Sequence, residues 1–254
     1  MKVTGIRTHK ITSKDRDILK VLDQYIKDLK DGSVVAVTSK IVAITEGRIV
    51  KIQNSEKGQK DRLIEQEAEF YLPRSSNKYN VSLTITGGQL VASAGIDESN
   101  ANNSYVLLPE NPQVSANKIR EYLGKRFKLK NIGVIITDSR TSPLRWGVTG
   151  VAIAHSGFEA LKNYVGIKDL FGRKFEFEKT NIEDSLATSA TLAMGEGAEQ
   201  TPLAIIEDVP FVKFQGRNPT KKEIESLRID ISDDIYASLL TSVKWRKGKW
   251  LIAE

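Results

Sequence analysis

The chain has 254 residues, 28.3 kDa and 40% hydrophobic residues, enough apolar material for one large domain or two closely joined ones, so disorder is not the default reading. It contains no cysteine, which excludes a disulfide framework and any cysteine-ligated zinc or iron–sulfur centre. Thirty-eight Lys plus Arg against 32 Asp plus Glu leave a formal charge of +6, suited to an anionic ligand such as a nucleotide or a polycarboxylate.

The first 19 residues hold no uninterrupted apolar stretch, and no later apolar run approaches the ~20 residues that span a bilayer. The expectation is a cytoplasmic, soluble protein with no membrane contact. The one dense basic tract, residues 244–249 (KWRKGK), reads as a solvated face. No internal repeat, low-complexity tract or Pro/Ser-rich linker divides the chain, so residues 1–254 are expected to form one unit, with 210–254 as a segment packing on it.

Taken in order, residues 15–29 carry a helical apolar stripe (Ile18, Leu19, Leu22, Ile26, Leu29), closed by Asp31-Gly32. Residues 33–42 form a β-branched apolar run, predicting a buried strand. Residues 55–69 are polar enough for a surface helix. Alternation over 81–86 and 89–94 around Gly87-Gly88 predicts a two-residue hairpin, with Gly95-Ile96-Asp97 just past its second strand. A helix over 115–127 and a buried strand over 132–137 follow, placing Asp138 as the first residue beyond a strand end. Residues 181–194 read as a helix stopped by Gly195-Glu196-Gly197, and 202–206 begin another strand. Irregular order with an evident hairpin favours an α+β fold with mixed and antiparallel sheets over a doubly wound parallel sheet.

Candidate chemistry is narrowed by absence. Neither a Walker-type loop nor G-x-G-x-x-G is present, and there is no G-x-S-x-G elbow. The two histidines, His9 and His155, are too few and too separated for a zinc site, and His155, in a run of small apolar residues, reads as a core or substrate-lining residue. Carboxylates remain. Asp97 and Asp138 each sit beside hydroxyl or amide neighbours, hard oxygen donors of the kind Mg²⁺ or Mn²⁺ takes, although Asp also caps turns in just such places. The run Gly195-Glu196-Gly197-Ala198-Glu199-Gln200 offers backbone amides and a carboxylate to a phosphate or second metal, or is simply a glycine helix end. Arg145 could pair with a phosphate or substrate carboxylate, or be a solvated loop charge.

Four segments, AGIDESN at 94–100, LLPENPQVSA at 107–116, GVIITDS at 133–139 and MGEGAEQTP at 194–202, together resemble the coenzyme F(420)-0 γ-glutamyl ligase family in content and order. Residues 31–50 and 166–175 extend the resemblance over most of the chain. It implies a GTP- or ATP-dependent acid–amino-acid ligase with two divalent ions, Mg²⁺ or Mn²⁺, and room for K⁺, built as an intertwined homodimer. By position, Asp97 and Asp138 are similar to ligands of one metal, with Ser139 and Glu196 at the second. Asp97, Asp138 and Arg145 then count as catalytic. Ser39, Lys40, Asn100, Gly195, Glu196, Gly197 and Ala198 match positions near the nucleotide, and residues 7–10 align loosely with its first contact loop.

The chain departs from the family at Ala43-Ile44, where a Ser-Lys pair is usual, and at Thr141-Ser142, where a Gly-Arg pair is usual. The second change borders the acceptor and tilts the expectation to a branch extending the γ-glutamyl tail of a folate rather than a deazaflavin. The partners implied are L-glutamate and a small carboxylate acceptor, not nucleic acid. Two other classes stay open: a non-catalytic nucleotide- or metal-binding regulator, which the lost lysine permits, and a basic nucleic-acid-binding protein, for which no RNA-binding aromatic motif speaks.

Overall fold

The structure, a computed structural model, describes residues 1–53 and 58–250. Its main sheet has five strands in the order β1 (Lys2–Ile6), β12 (Leu203–Glu207), β2 (Ser33–Thr38), β8 (Ile132–Thr141) and β9 (Val148–Ser156). Neighbours are antiparallel except β2 and β8, which run parallel with Ser33 opposite Ile132 and Thr38 opposite Thr137.

Strand alternation divides the core. Val35, Val37, Val134 and Ile136 face helices α1 (Ile18–Tyr25) and α4 (Pro112–Phe127) through Ile18, Leu22, Ile119 and Leu123. Val34, Ala36 and Ile135 face α5 (Ile182–Met194) through Ile182, Leu186, Ala187 and Ala190. Coverage on both faces explains why β2 and the first half of β8 read as continuous apolar runs. Each of the three helices starts on a side-chain cap: Asp17 accepts from Leu19 N, Asn111 from Val114 N and Asn181 from Asp184 N, all at 3.0 Å.

A second sheet, β13 (Arg246–Lys247), β4 (Phe70–Tyr71), β5 (Leu83–Thr86) and β6 (Gln89–Ala92), packs with α3 (Gln59–Glu67) on a separate cluster of Leu63, Ile64, Ala68, Ala94, Ile96, Tyr105 and Leu107. β3 (Ile49–Lys51) pairs with β7 (Ser104–Val106), and β10 (Leu161–Asn163) with β11 (Lys179–Asn181). The carboxy-terminal segment adds the short helices α6 (Lys221–Glu225) and α7 (Ala237–Leu240) before β13. The architecture is α+β with mixed and antiparallel sheets, as expected.

Several sequence expectations need correction. The strand expected over 33–42 stops at Thr38, and Ser39–Glu46 forms helix α2, ended at Gly47 (φ +78°). Ile41, Val42, Ala43 and Ile44 are all buried, so α2 has no polar stripe to reveal a helical period. The first helix is shorter than 15–29. The helix expected over 115–127 starts at Pro112, whose fixed φ suits a first turn. The second hairpin strand ends at Ala92, and Ser93–Gly95 turn in left-handed conformations (φ +52°, +54° and +71°). β8 runs through to Thr141 past a bulge between Ile136 and Thr137, so Asp138 lies inside a strand rather than beyond one. Part of the helix expected over 55–69 falls outside the described residues, and the rest is α3. The basic tract at 244–249 contains β13, and its Lys244, Arg246, Lys247 and Lys249 are exposed, the solvated face expected. Among the described residues no helix is long and apolar enough to cross a membrane.

Helix α5 lies directly on β9 at Gly150, where an added Cβ would stand 2.1 Å from Thr191 Oγ1 and 2.5 Å from the Ala187 carbonyl oxygen. Gly150→Ala must therefore push α5 off the sheet. The expected cost is about 1–3 kcal/mol, read as a lower urea midpoint.

Candidate active site

Four connections meet at one edge of the main sheet because of its topology. The pairing of parallel β2 and β8 ends there, with Ser39 and Lys40 in the first turn of α2 and Asp138 and Ser139 along the outer half of β8. Antiparallel β12 begins there, so the loop of residues 195–202 that feeds it lies alongside. β1 ends there, and Thr8 N donates to Gln200 O at 2.8 Å while Thr38 N donates to Pro202 O at 3.0 Å. The edge encloses a cavity of about 350 Å³.

The fourth wall comes from the second sheet. After β6, the left-handed turn at Ser93–Gly95 brings the chain so close to Leu108 that a Cβ on Gly95 would meet its side chain at 2.7 Å. Asp97 then bridges Val106 in both directions, Asp97 N to Val106 O at 2.9 Å and Val106 N to Asp97 O at 2.8 Å. Non-glycine residues in this region each cost on the order of 1 kcal/mol, and here the buried packing of Ala94 holds them.

Ser39, Lys40, Asp97, Asn100, Asp138, Ser139, Gly195, Glu196, Gly197 and Ala198 all line this cavity. Lys40 Nζ lies 2.5 Å from Asp97 Oδ2 and donates to Ser99 O (3.2 Å) and Ser99 Oγ (3.1 Å). Ser99 N donates to Asp97 Oδ1 at 2.7 Å. Burial works against the Asp97 carboxylate, but Lys40 and Ser99 outweigh it and hold its pKa below the ordinary value. Asp138 has no such ammonium. Burial first, then the nearby Asp97 and Glu196 charges, push it up to about 7, opposed mainly by the Ser139 amide (2.9 Å to Oδ1). Burial also raises Glu196, against a hydrogen bond from Ser139 and the charge of Lys40. The glycine-rich loop is internally tied, with Gly197 N donating to Glu199 Oε2 at 2.8 Å, and Asn100 Nδ2 reaches across to Gly197 O at 3.0 Å.

Arg145 is the exception among the expected residues. It sits on the exposed turn between β8 and β9, with its N–H on Ser142 O, and does not line the cavity of its own chain, because β8 and β9 extend the hairpin well past Asp138. His155 is not in the cavity either. It is buried in the core, with Nδ1 2.7 Å from Glu183 Oε2.

Among the other lining residues, Thr137 was not singled out from the sequence, whereas His9 falls in the loosely aligned 7–10 segment and Ile44 at a departure from the family. Thr137 Oγ1, beside Asp138, is buried without a hydrogen-bond partner. Its only sequence signal was a hydroxyl in an apolar run. His9 has both ring nitrogens engaged, Nδ1 2.7 Å from Tyr25 Oη and Nε2 2.9 Å from Asp15 Oδ1, and its ring stacks on Tyr25 at 5.7 Å. Ile11, Ile41, Ile44, Val106 and Leu107 make an apolar side, suited to a flat ring system.

Among the described residues, no three acidic or histidine side chains are gathered closely enough to cage a metal ion unaided. That is compatible with Mg²⁺, which commonly takes one or two carboxylates and completes its shell with water and substrate phosphates. The donor set fits such an ion: hard oxygens from Asp97, Asp138 and Glu196, an unpartnered Thr137 hydroxyl, and more negative than positive charge at the carboxylates.

Fold and cavity together define an α+β protein with a carboxylate-rich ligand site beside a glycine loop. The sequence pattern of the F420-0:Gamma-glutamyl ligase family matches residues 5–208, and the chain belongs to that family of acid–amino-acid ligases. It is 34% identical over 221 residues to "Coenzyme F420:L-glutamate ligase" of Methanopyrus kandleri, covering 80% of this chain and 86% of the relative. The proteins of that name from Methanocaldococcus jannaschii and Methanococcus maripaludis are each 33% identical, over 83% and 89% of this chain and 89% and 96% of theirs.

The raised Asp138 gives a pH test on chelator-treated protein. Below about pH 4 both folded and unfolded states hold the proton. As pH rises towards 7 only the unfolded state ionises freely, so stability is lost across that window. Asp138→Asn should match the wild type near pH 4 and exceed it above pH 7 by on the order of 3 kcal/mol in urea denaturation.

Proposed function

We propose that this protein joins the amine of L-glutamate, in amide linkage, to the carboxylate of a deazaflavin acceptor of the F420-0 type, with GTP or ATP as phosphoryl donor and Mg²⁺ or Mn²⁺ as the hard cation. The observation that carries it is the convergence of Asp97, Asp138 and Glu196 with Lys40 and the 195–200 loop on one cavity, in a chain of this family. The folate-type acceptor suggested by residues 141–142 gives way, since the matched relatives are named for coenzyme F420.

A carboxylate does not condense with an amine at neutral pH without activation. In this reading the terminal phosphoryl group passes to the acceptor carboxylate, and the amine of glutamate attacks the resulting acyl phosphate and expels phosphate. A bound divalent ion supplies neutralisation of the phosphate charge, which otherwise keeps the two anions apart. Asp97 and Asp138 would hold one such ion and Glu196 with the Ser139 hydroxyl a second, the Thr137 hydroxyl standing beside them. Lys40 and Lys10 bring positive charge to the phosphates, and the 195–200 backbone cradles them. The apolar side formed by Ile41, Ile44, Val106 and Leu107 takes an aromatic ring and excludes water.

A homodimer completes the proposal. Leu144 and Trp146 project from the β8–β9 turn at 104% and 91% exposure, and Leu170 and Phe171 at 98% and 96%, surfaces that a second copy would cover. Arg145, set between the first pair, would then serve the partner's cavity.

Mass spectrometry of reactions containing L-glutamate, GTP or ATP, and Mg²⁺ or Mn²⁺ should show one glutamyl unit added to the deazaflavin acceptor and none to a reduced folate. Gain on the folate alone would overturn the acceptor, and gain on neither would overturn the activity. Asp97→Ala and Asp138→Ala should each lower kcat about 10²–10³-fold or more with the circular dichroism unchanged. Light scattering should find a dimer in the wild type and a monomer in a Leu144→Asp/Trp146→Asp variant.

A further inference from the structure

We infer that the Lys40 ammonium is an exchangeable counterion that holds Asp97 until a divalent cation takes its place, and that the two cannot occupy Asp97 together. The inference rests on the cation-binding reading above and adds a residue that must move for binding to occur.

The geometry sets like charge against like charge. Asp97 Oδ1 accepts the Ser99 amide at 2.7 Å, and Asp97 Oδ2 meets Lys40 Nζ at 2.5 Å, so each carboxylate oxygen has a partner and Oδ2 faces a full positive charge. The ammonium has three N–H donors, and Asp97 Oδ2, Ser99 O and Ser99 Oγ account for them. A cation reaching the remaining lone pairs of Asp97 would stand a few ångströms from Nζ, and that repulsion favours release of the ammonium.

Lys40 is also free to leave. It sits in the first turn of α2 on a flexible stem at the cavity wall, and its side chain is 27% exposed, so rotation carries the charge into the cavity without unfolding the helix. An ammonium released there is placed for anionic phosphate oxygens. The exchange moves one positive charge from Asp97 to the ligand as another arrives, so Asp97 keeps a cationic partner throughout.

The pair at Lys60 and Glu98 supplies a control. It lies next to Asp97 in sequence and has the same charge, but it occupies neither Asp97 oxygen.

Mn²⁺ titrations followed by electron paramagnetic resonance, without nucleotide, compare wild type, Lys40→Met and Lys60→Met. Lys40→Met should bind Mn²⁺ at least about fivefold more tightly than wild type, whereas Lys60→Met should stay within about twofold. In parallel, acetylation of Lys40 by a soluble amine reagent, read by peptide mass spectrometry, should speed up severalfold when Mn²⁺ fills the wild-type site and slow again when a nucleoside triphosphate is added. Mn²⁺ bound with unchanged Lys40 labelling, or Lys40→Met binding no better than Lys60→Met, overturns the exchange and leaves the ligase reading standing. Mn²⁺ bound by none of the three proteins overturns the cation reading itself.

Discussion

One parallel pair in an otherwise antiparallel sheet fixes where everything else in this protein can happen. Because β2 and β8 run the same way, their carboxy-terminal ends lie side by side, Thr38 opposite Thr137. Two chain segments about 100 residues apart in sequence therefore come together there, β2 turning into α2 and β8 running on beyond the end of β2 against β9 alone. An antiparallel neighbour reverses the relation, so β12 must begin where they end, and its entering loop comes from a helix end rich in glycine. Ligands of open sheets collect outside the carboxy-terminal ends of parallel strands for this reason. Here the same rule operates with a single parallel pair.

Electrostatics then makes the edge a site rather than a seam. Three carboxylates converge on a cavity wall with a single ammonium in direct contact, and that ammonium is spent on Asp97. Asp138 is left to hold a proton near neutral pH. A fold optimised only for stability would replace such a group by an apolar one, since a buried carboxylate without a partner lowers stability. Its presence marks a position shaped by what enters the cavity.

The regular parts of this arrangement were legible in the sequence because their signals are local. Capped helices, the Gly87-Gly88 hairpin and the buried core of β8 follow from spacing and composition. So did the candidate carboxylates and the glycine loop, once the order of four short motifs was considered together. The misses share a physical cause. Helix α2 is buried all round and so reads like a strand, and the outer half of β8 is polar because it leaves the core, so it reads like a loop. Thr137 lies in the apolar run of β8, and no periodicity marks its buried, unpartnered hydroxyl. Arg145 matched a family position, but a match fixes only the place in the chain, and β8 and β9 carry that place away from the cavity.

The division of labour between the two sheets carries a last consequence. Lys40, Asp138 and Glu196 are held by the main sheet and its flanking helices, whereas Asp97 arrives from the second sheet on a turn of three left-handed residues. Contacts that join it to the rest include the Lys40 pair, Asn100 reaching Gly197, and Val106, bridged by Asp97, packing on Ala43 and Ile44 of α2. The second sheet in turn gains its outer strand, β13, from residues beyond the family-matched 5–208, with Gly248 so close to Ala68 that a Cβ would stand 1.9 Å from its carbonyl oxygen. The alignment of Asp97 with Asp138 is thus set by packing between sheets and by a carboxy-terminal strand. Small shifts between the sheets would change the spacing of these carboxylates without disturbing either core. The acidic residues of the cavity thus stand on two separately packed layers, and the Lys40–Asp97 and Asn100–Gly197 contacts cross the seam between them.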